Sequence, residues 1–413
     1  MMNRTRMIIA LALTYAVFAV LLNSVGTVIL QSIESFHVSK VAASSLEGFK
    51  DLSIAATSFL LAAQLPRFGL RRAMIVALGI VAIACLAMPL APGLWTTRLM
   101  FLGIGVSFGI TKVSVYSFVG LLTEDSARHA SLLNVIEGIF MLGVLSGYWV
   151  FAAFIDPADA ASLRWLNVYY VLAALSLAAL ALLAVTPFDE TAVEKSSSPK
   201  SGAGRKFAEM LALAWRPLTL SFIAAIFFYV LVEQGIGSWL PTFNRELLGL
   251  SAPMSVQAAS IFAACLAAGR LGAGVIVRRT GWFPLVCGCL AAMAVLIILV
   301  LPLAAEHRGQ VTSWAGAPIS AFLFPMIGLA MAPIYPALNS AILSSMPPRE
   351  QPGMVGLIVV FSALGGTTGS FVVGHVFAAF QGTIAFYVLL VPIAALAVAS
   401  TIMRRMAVRA PSL

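Results

Sequence analysis

Charge is what this chain has least of. Only 10% of its 413 residues are Asp, Glu, Lys or Arg, whereas 61% are hydrophobic and the mean hydropathy is +1.00. A soluble domain carries about a quarter of its residues charged, so the composition excludes an ordinary water-soluble globule and implies a polytopic membrane protein. Cysteine and histidine are scarce too, four of each. Cys85, Cys265, Cys287 and Cys289 lie in apolar runs, where free thiols behave as small hydrophobes. Cys287 and Cys289 are two apart, so a helix points them to nearly opposite sides and they cannot share a metal. No disulfide framework, metal cluster, nucleophile with its base, or phosphate-binding glycine loop is legible, which argues against an enzyme and against a bound cofactor. The net charge of +9 does not mark a nucleic-acid binder, because the basic residues are spread in pairs through short loops.

What the chain does have is apolar length. Cutting at charged and Pro/Gly-rich breaks gives twelve segments, near 7–31, 42–65, 73–91, 95–122, 130–154, 165–186, 217–242, 253–277, 282–304, 315–345, 353–379 and 382–403. Each is long enough to cross a bilayer as a helix, which takes about 20 residues. The opening MMNRTRM and its apolar run imitate a signal peptide, but in a multispanning protein such a run reads as the first helix. Lys and Arg collect in alternate loops: Arg4, Arg6, Arg67, Arg71, Arg72, Arg128 and the later pairs fall on one side, against Lys40, Arg98, Arg164, Arg245 and Arg308 on the other. The excess of positive charge on cytoplasmic loops then predicts an inner-membrane protein with both termini inside.

One long polar interruption, 187–216, contains SSSPKSGAGRK and reads as a flexible cytoplasmic linker. It separates six-span bundles at 1–186 and 217–413, and these halves echo each other. Leu21-Leu22-Asn23-Ser24 matches Leu231-Val232-Glu233-Gln234 in depth, and Arg67-Phe68-Gly69 matches Arg279-Thr280-Gly281. Weak internal symmetry with polar residues in matching places is a transporter signature. The expected fold is all-α, with twelve transmembrane helices in two pseudo-symmetric bundles.

Ionisable residues inside such spans are costly and usually face a partner or a watery cavity. Glu47, Lys50 and Asp51 open the second span; if it starts near Ala42, Asp51 lies ~13 Å below the surface. Lys112 falls near the middle of the fourth span and Glu137 a little inward in the fifth. A buried lysine tends to lose its proton unless an acid restores the charge, so Lys112 is expected to pair with Asp51 or Glu137. With Glu233, these are the candidates for proton coupling or ion pairing. Asn23, Asn134, Tyr229, Gln234, Trp239, Tyr335 and Asn339 offer the hydrogen bonds and aromatic faces a sugar would need. Glu233-Gln234 precedes Gly235-Ile236-Gly237, where glycine permits local unwinding beside a cavity. Lys112 equally suits an anionic solute. His375, alone near the end of the eleventh span, reads as a packed or wetted residue, and Pro325, Pro333 and Pro336 should bend the tenth span.

Gly269-Arg270-Leu271-Gly272-Ala273-Gly274 followed by Arg278-Arg279-Thr280-Gly281 is similar to the eighth-helix motif and basic turn of the major facilitator superfamily. Phe227-Phe228-Tyr229-Val230, Ser238-Trp239-Leu240 and Ile334-Tyr335-Pro336 resemble the fucose permease branch of sugar–proton symporters. The resemblance implies alternating-access transport of a small molecule by a chain embedded in lipid, monomeric and driven by the proton gradient. It also implies gating roles for Arg67, Arg71, Arg72, Arg270, Arg278 and Arg279, with Arg270 expected in a structural ion pair or in hydrogen bonds to helix ends on the cytoplasmic side. The match has departures. Pro66 stands where the family has aspartate before its arginine. Ser24 and Thr111 or Lys112 stand where fucose permease has acids, so that protein's coupling residues do not transfer. The fifth span, NVIEGIFMLGVLSGYWV, lacks the glycine–proline pattern of drug–proton antiporters, although efflux of drug-like compounds stays a rival reading beside uptake of an anionic metabolite.

Overall fold

A computed structural model describes residues 2–61, 65–122, 126–186, 210–306, 309–347, 350–380 and 382–409. Nearly all of these are helical. In the first half the helices are α1 (Met2–Leu22), α2 (Val25–Phe36), α3 (Lys40–Leu61), α4 (Leu65–Phe68), α5 (Leu70–Leu90), α6 (Leu94–Leu122), α7 (Ser126–Phe154) and α8 (Val168–Val185). In the second they are α9 (Pro217–Glu246), α10 (Ala252–Thr280), α11 (Trp282–Glu306), α12 (Ser320–Leu323), α13 (Ile327–Met331), α14 (Ile334–Ser344), α15 (Gln351–Ala379), α16 (Gly382–Tyr387) and α17 (Leu390–Arg409). Among the described residues, 11 helical stretches are long and apolar enough to cross a membrane. The 22-residue α3 is not one of them, because Lys40, Glu47, Lys50 and Asp51 lie along it. Counted with it, the described residues hold twelve spans, six in each half.

The helix ends follow from local chemistry. α9, α10 and α15 each open with proline in the first turn, where a missing N–H costs nothing. Arg71 ends α8: its Nε donates to Leu183 O at 2.8 Å and its Nη2 to Ala184 O at 2.6 Å, so a cation sits on the negative end of the helix.

Among the described residues three spans are interrupted. The first breaks at Asn23–Ser24, between α1 and α2, where the Asn23 and Ser24 side chains turn back onto Ala19 O and Leu21 O. The tenth is assembled from α12, a 3₁₀ turn at Phe324–Met326, α13 and α14, which fits the bend expected from Pro325, Pro333 and Pro336. The twelfth is divided between α16 and α17. The seventh is not broken. α9 runs continuously through Gly235-Ile236-Gly237, correcting the expectation of unwinding there. Gly235 serves close packing instead, since an added Cβ would sit 3.1 Å from Val373 Cγ2 and 3.5 Å from Gly369 O.

The helices form two compact units. The first takes the described residues of Met1–Val38 and Phe49–Ser201; the second takes Ser39–Gly48 and those of Gly202–Leu413. The first nine residues of α3 therefore belong with the second unit and the rest of α3 with the first. Of the 187–216 stretch read as a linker, 187–209 lie outside the described residues.

Candidate functional site

In the first unit, aromatic rings gather around the middle of α1, α6 and α7. Tyr15 packs at 5.7 Å from Phe140 and 6.3 Å from Phe108, and Phe108 lies 5.6 Å from Phe18. Lys112, one turn beyond Phe108 on α6, holds its ammonium 6.0 Å from the Phe108 ring, at the outer limit of a cation–π contact. Glu137 of α7 is the carboxylate whose field acts on Lys112, and it accepts a hydrogen bond from Tyr116 Oη at 3.0 Å. The i, i+4 spacing places Lys112 and Tyr116 on one face of α6. The result is an acid, a base and a phenol beside an aromatic floor, with Lys112 and Tyr116 keeping exposed surface. Of the two acids considered for Lys112, Glu137 is the one whose charge acts on it, but among the described residues no ion pair joins Lys112 to either acid. Asp51 instead lies 3.3 Å from Lys50.

Lys50 has a second role at the broken first span. Its ammonium points to Leu22 O at 3.5 Å, the last residue of α1. A cation there meets the carbonyl end of a half-helix, where its charge is favourable. Lys50 and Asp51 are 5% and 9% exposed, so the protein buries this pair. Glu47, three residues earlier, lies in the second unit and is 1% exposed; Ser238 Oγ donates to its Oε2 at 2.7 Å.

In the second unit, α9, α10 and α14 bring together a second acid–base group. Arg270 Nη2 lies 3.2 Å from Glu233 Oε1. Tyr229, one turn before Glu233 on α9, packs its ring 5.5 Å from Tyr335 of α14. The Tyr229 hydroxyl is within electrostatic reach of both Glu233 and Arg270, though short of a well-formed hydrogen bond. Tyr335 Oη is 3.5 Å from Ser362 Oγ on α15. Asn339, one turn after Tyr335, has a buried Oδ1 with no hydrogen-bond partner. This is a polar cluster built from four helices of one unit.

The other candidates fall elsewhere. Trp239 is fully buried, donates from Nε1 to Ser370 O at 2.9 Å and stacks on Phe377, so it is part of the core rather than of an open pocket. Asn23 is partly buried and spends its amide on Ala19 O. Asn134 is exposed on α7, and Gln234 is half-buried beside Glu233. Arg71 caps α8 as described, while Arg72 and Arg279 are exposed. The side chains of Arg67 and Arg278 lie outside the described residues. His375 is half-buried, with its ring 3.8 Å from Phe371 and Nδ1 2.8 Å from Phe371 O. Sequence reasoning missed the closeness of Arg270 to Glu233. They stand 37 positions apart on neighbouring spans, and only the packing of α9 against α10 joins them.

Residues 7–370 match the family described as the Major Facilitator Superfamily. No curated protein matches the sequence. Solved structures share the fold at low identity. A bacterial homologue of the human lysosomal transporter Spinster, solved in an inward-facing and occupied conformation, is 16% identical with TM-score 0.76, covering 98% of this chain and 97% of its own. The nucleoside transporter NupG is 14% identical with TM-score 0.71 over 98% and 99%. A D-xylose–proton symporter is 15% identical with TM-score 0.64 over 96% and 97%.

Proposed function

Because this chain belongs to the Major Facilitator Superfamily, a family of membrane transporters that are not enzymes and need no cofactor, we propose that it carries a sugar or sugar-like solute across the inner membrane, coupled to protons. The observation that carries this reading is an acid–base–phenol group within the spanning helices of each unit, Lys112 with Glu137 and Tyr116, and Arg270 with Glu233 and Tyr229. Ionised groups at such depth cost roughly 2.5–3.5 kcal/mol each on insertion scales. A static scaffold has no use for two such groups; a carrier whose sites meet water alternately from each side does. A carboxylate whose water access changes between two states changes its proton affinity with them.

The hydroxyl of Tyr335 and the amide of Asn339, both on half-buried residues, suit a polyol, and the names of the nucleoside and xylose transporters that share the fold lean the same way. The short segments similar to fucose permease support a sugar carrier. The distribution of lysine and arginine supports cytoplasmic termini and a cytoplasmic linker at 187–216 between halves 1–186 and 217–413.

The test is uptake into proteoliposomes of labelled neutral sugars under an imposed inward proton gradient. Coupled carriage predicts accumulation that collapses with the gradient. Glu137→Gln and Asp51→Asn should each uncouple uptake from the gradient if their carboxylates take part. Uptake that ignores the gradient, with both variants transporting like the parent protein, would remove proton coupling from the proposal.

A further inference from the structure

We propose that Arg270 anchors the carboxylate of an acidic sugar-like solute at the polar cluster of the second unit, and that Glu233 is the resident counter-ion this carboxylate displaces. The inference rests on the transporter reading above and narrows its substrate class.

Four observations carry it. First, Arg270 is permanently charged, yet it stands within a spanning stretch, ten residues (about 15 Å) before the end of α10. Secondly, 46% of its side chain is exposed. A guanidinium left facing lipid would be costly, so its open side is accounted for by water or a ligand. Thirdly, Glu233 holds it loosely. The contact is one Nη2–Oε1 approach of 3.2 Å, longer than the ~2.7–2.9 Å of a tight charge-assisted bond, whereas a guanidinium can take a carboxylate on two parallel N–H groups. Fourthly, the surroundings are those of a polyol site. Half-buried Tyr335 offers an aromatic edge, and the fully buried Tyr229 keeps its hydroxyl, like Asn339 Oδ1, without a well-formed hydrogen bond. Buried polar atoms in that state normally have a partner, and the hydroxyls of a bound solute would supply one. A solute with a carboxylate at one end and hydroxyls along its length meets both demands.

A pin between α9 and α10 would use the same two residues, and the two roles differ in what Glu233→Gln does. If Glu233 competes with the solute, removing its charge frees the arginine and acids bind several-fold tighter. A pin predicts lower thermal stability in that variant with acid binding unchanged or weaker. The probes are D-glucuronate and D-gluconate against D-glucose, measured with the purified full chain by thermal shift and by equilibrium binding. We expect the acids, more than D-glucose, to raise the melting temperature. Arg270→Gln should weaken acid binding by ~10–100-fold, the loss of hydrogen bonds to a charged group, while Arg270→Lys keeps part of it.

The inference is overturned if neither acid binds, if acids and D-glucose bind alike, if acid binding survives in folded Arg270→Gln, or if Glu233→Gln fails to tighten it. Flux into proteoliposomes separates this from the wider reading. Neutral-sugar flux that persists in Arg270→Gln, without acid flux in the parent protein, removes the acid anchor and leaves the carrier standing. No flux of any probe through the parent protein removes the carrier reading itself.

Discussion

At the scale of the residue, Glu47 shows how a membrane protein keeps a carboxylate. It is 1% exposed, and one of its oxygens accepts from Ser238 at 2.7 Å. A buried acceptor deprived of its donor bears the desolvation cost without the bond, about 1–3 kcal/mol and more for a charged group. Ser238→Ala should therefore lower the thermal stability of the purified protein by roughly that amount, and Ser238→Thr should retain most of it. An unchanged melting curve for Ser238→Ala would mean that other partners of Glu47 suffice. A second residue-scale expectation concerns Asp156, in the connection after α7. It accepts from Ala158 N at 3.0 Å and from Arg164 Nη1 at 2.9 Å. The backbone N–H of Ala158, then the Arg164 guanidinium, hold its pKa below the ordinary carboxylate value. A depressed pKa means that the ionised form stabilises the fold above the unfolded carboxylate's pKa, and that this is lost as pH falls through the depressed value. Amide exchange of Ala158 should stay slow at pH 5 and accelerate only in stronger acid, with Asp156→Asn flattening that response. The sequence drew attention to Glu47, Lys50 and Asp51 as charges in an apolar run. It could not assign their partners, because Ser238 lies 191 residues away and Leu22 offers only a main-chain oxygen.

At the scale of the element, the spans were legible because hydrophobic length is a one-dimensional property. The breaks were less so. Prolines announced the interrupted tenth span, whereas the first span breaks at Asn23–Ser24 with neither glycine nor proline in the break. Polar side chains there hydrogen-bond the preceding carbonyls, and Lys50 from α3 meets the exposed end. Gly235 and Gly237 misled in the opposite direction, since a glycine that permits unwinding also permits close approach, and at Gly235 the packing of α15 decides between them. The same ambiguity yields a prediction on α15 itself. A Cβ at Gly369 would collide with Leu231 O and lie 2.8 Å from Leu231 C, main-chain atoms of α9 that cannot step aside. A Cβ at Gly272 on α10 would meet nothing within 4 Å. Gly369→Ala should therefore destabilise by about 1–3 kcal/mol or abolish folded protein. Gly272→Ala should be neutral or stabilise by up to ~1 kcal/mol through helix propensity. Equal melting temperatures for the two variants would contradict this packing.

At the scale of the whole molecule, chain order and structural unit do not coincide. The two halves inferred from the sequence break at the polar stretch 187–216, but Ser39–Gly48 joins the second unit. Its contacts there are close. Lys40 pairs with Glu246 at 2.6 Å and lies over the Phe377 ring, and Ser370 Oγ donates to Ser44 O at 3.4 Å. Gly48 and Gly374 each lack the Cβ that would press on Thr367 and Ser44 respectively. No linear pattern separates residue 48 from residue 49; the division appears only when the helix is packed. It has a consequence for the chain cut in two. A fragment of residues 202–413, expressed alone, retains its six spans but loses the turns of α3 that bury Ser238, Ser370 and Gly374. It should accumulate less and melt at a lower temperature than the same fragment co-expressed with residues 1–201, which restores them. Within the reassembled pair, Ser238→Ala should narrow the difference, because one of the restored contacts is then missing. If the lone fragment is as stable as the pair, residues 39–48 rest on the second unit without holding it together, and the Glu47–Ser238 bond contributes little to its fold.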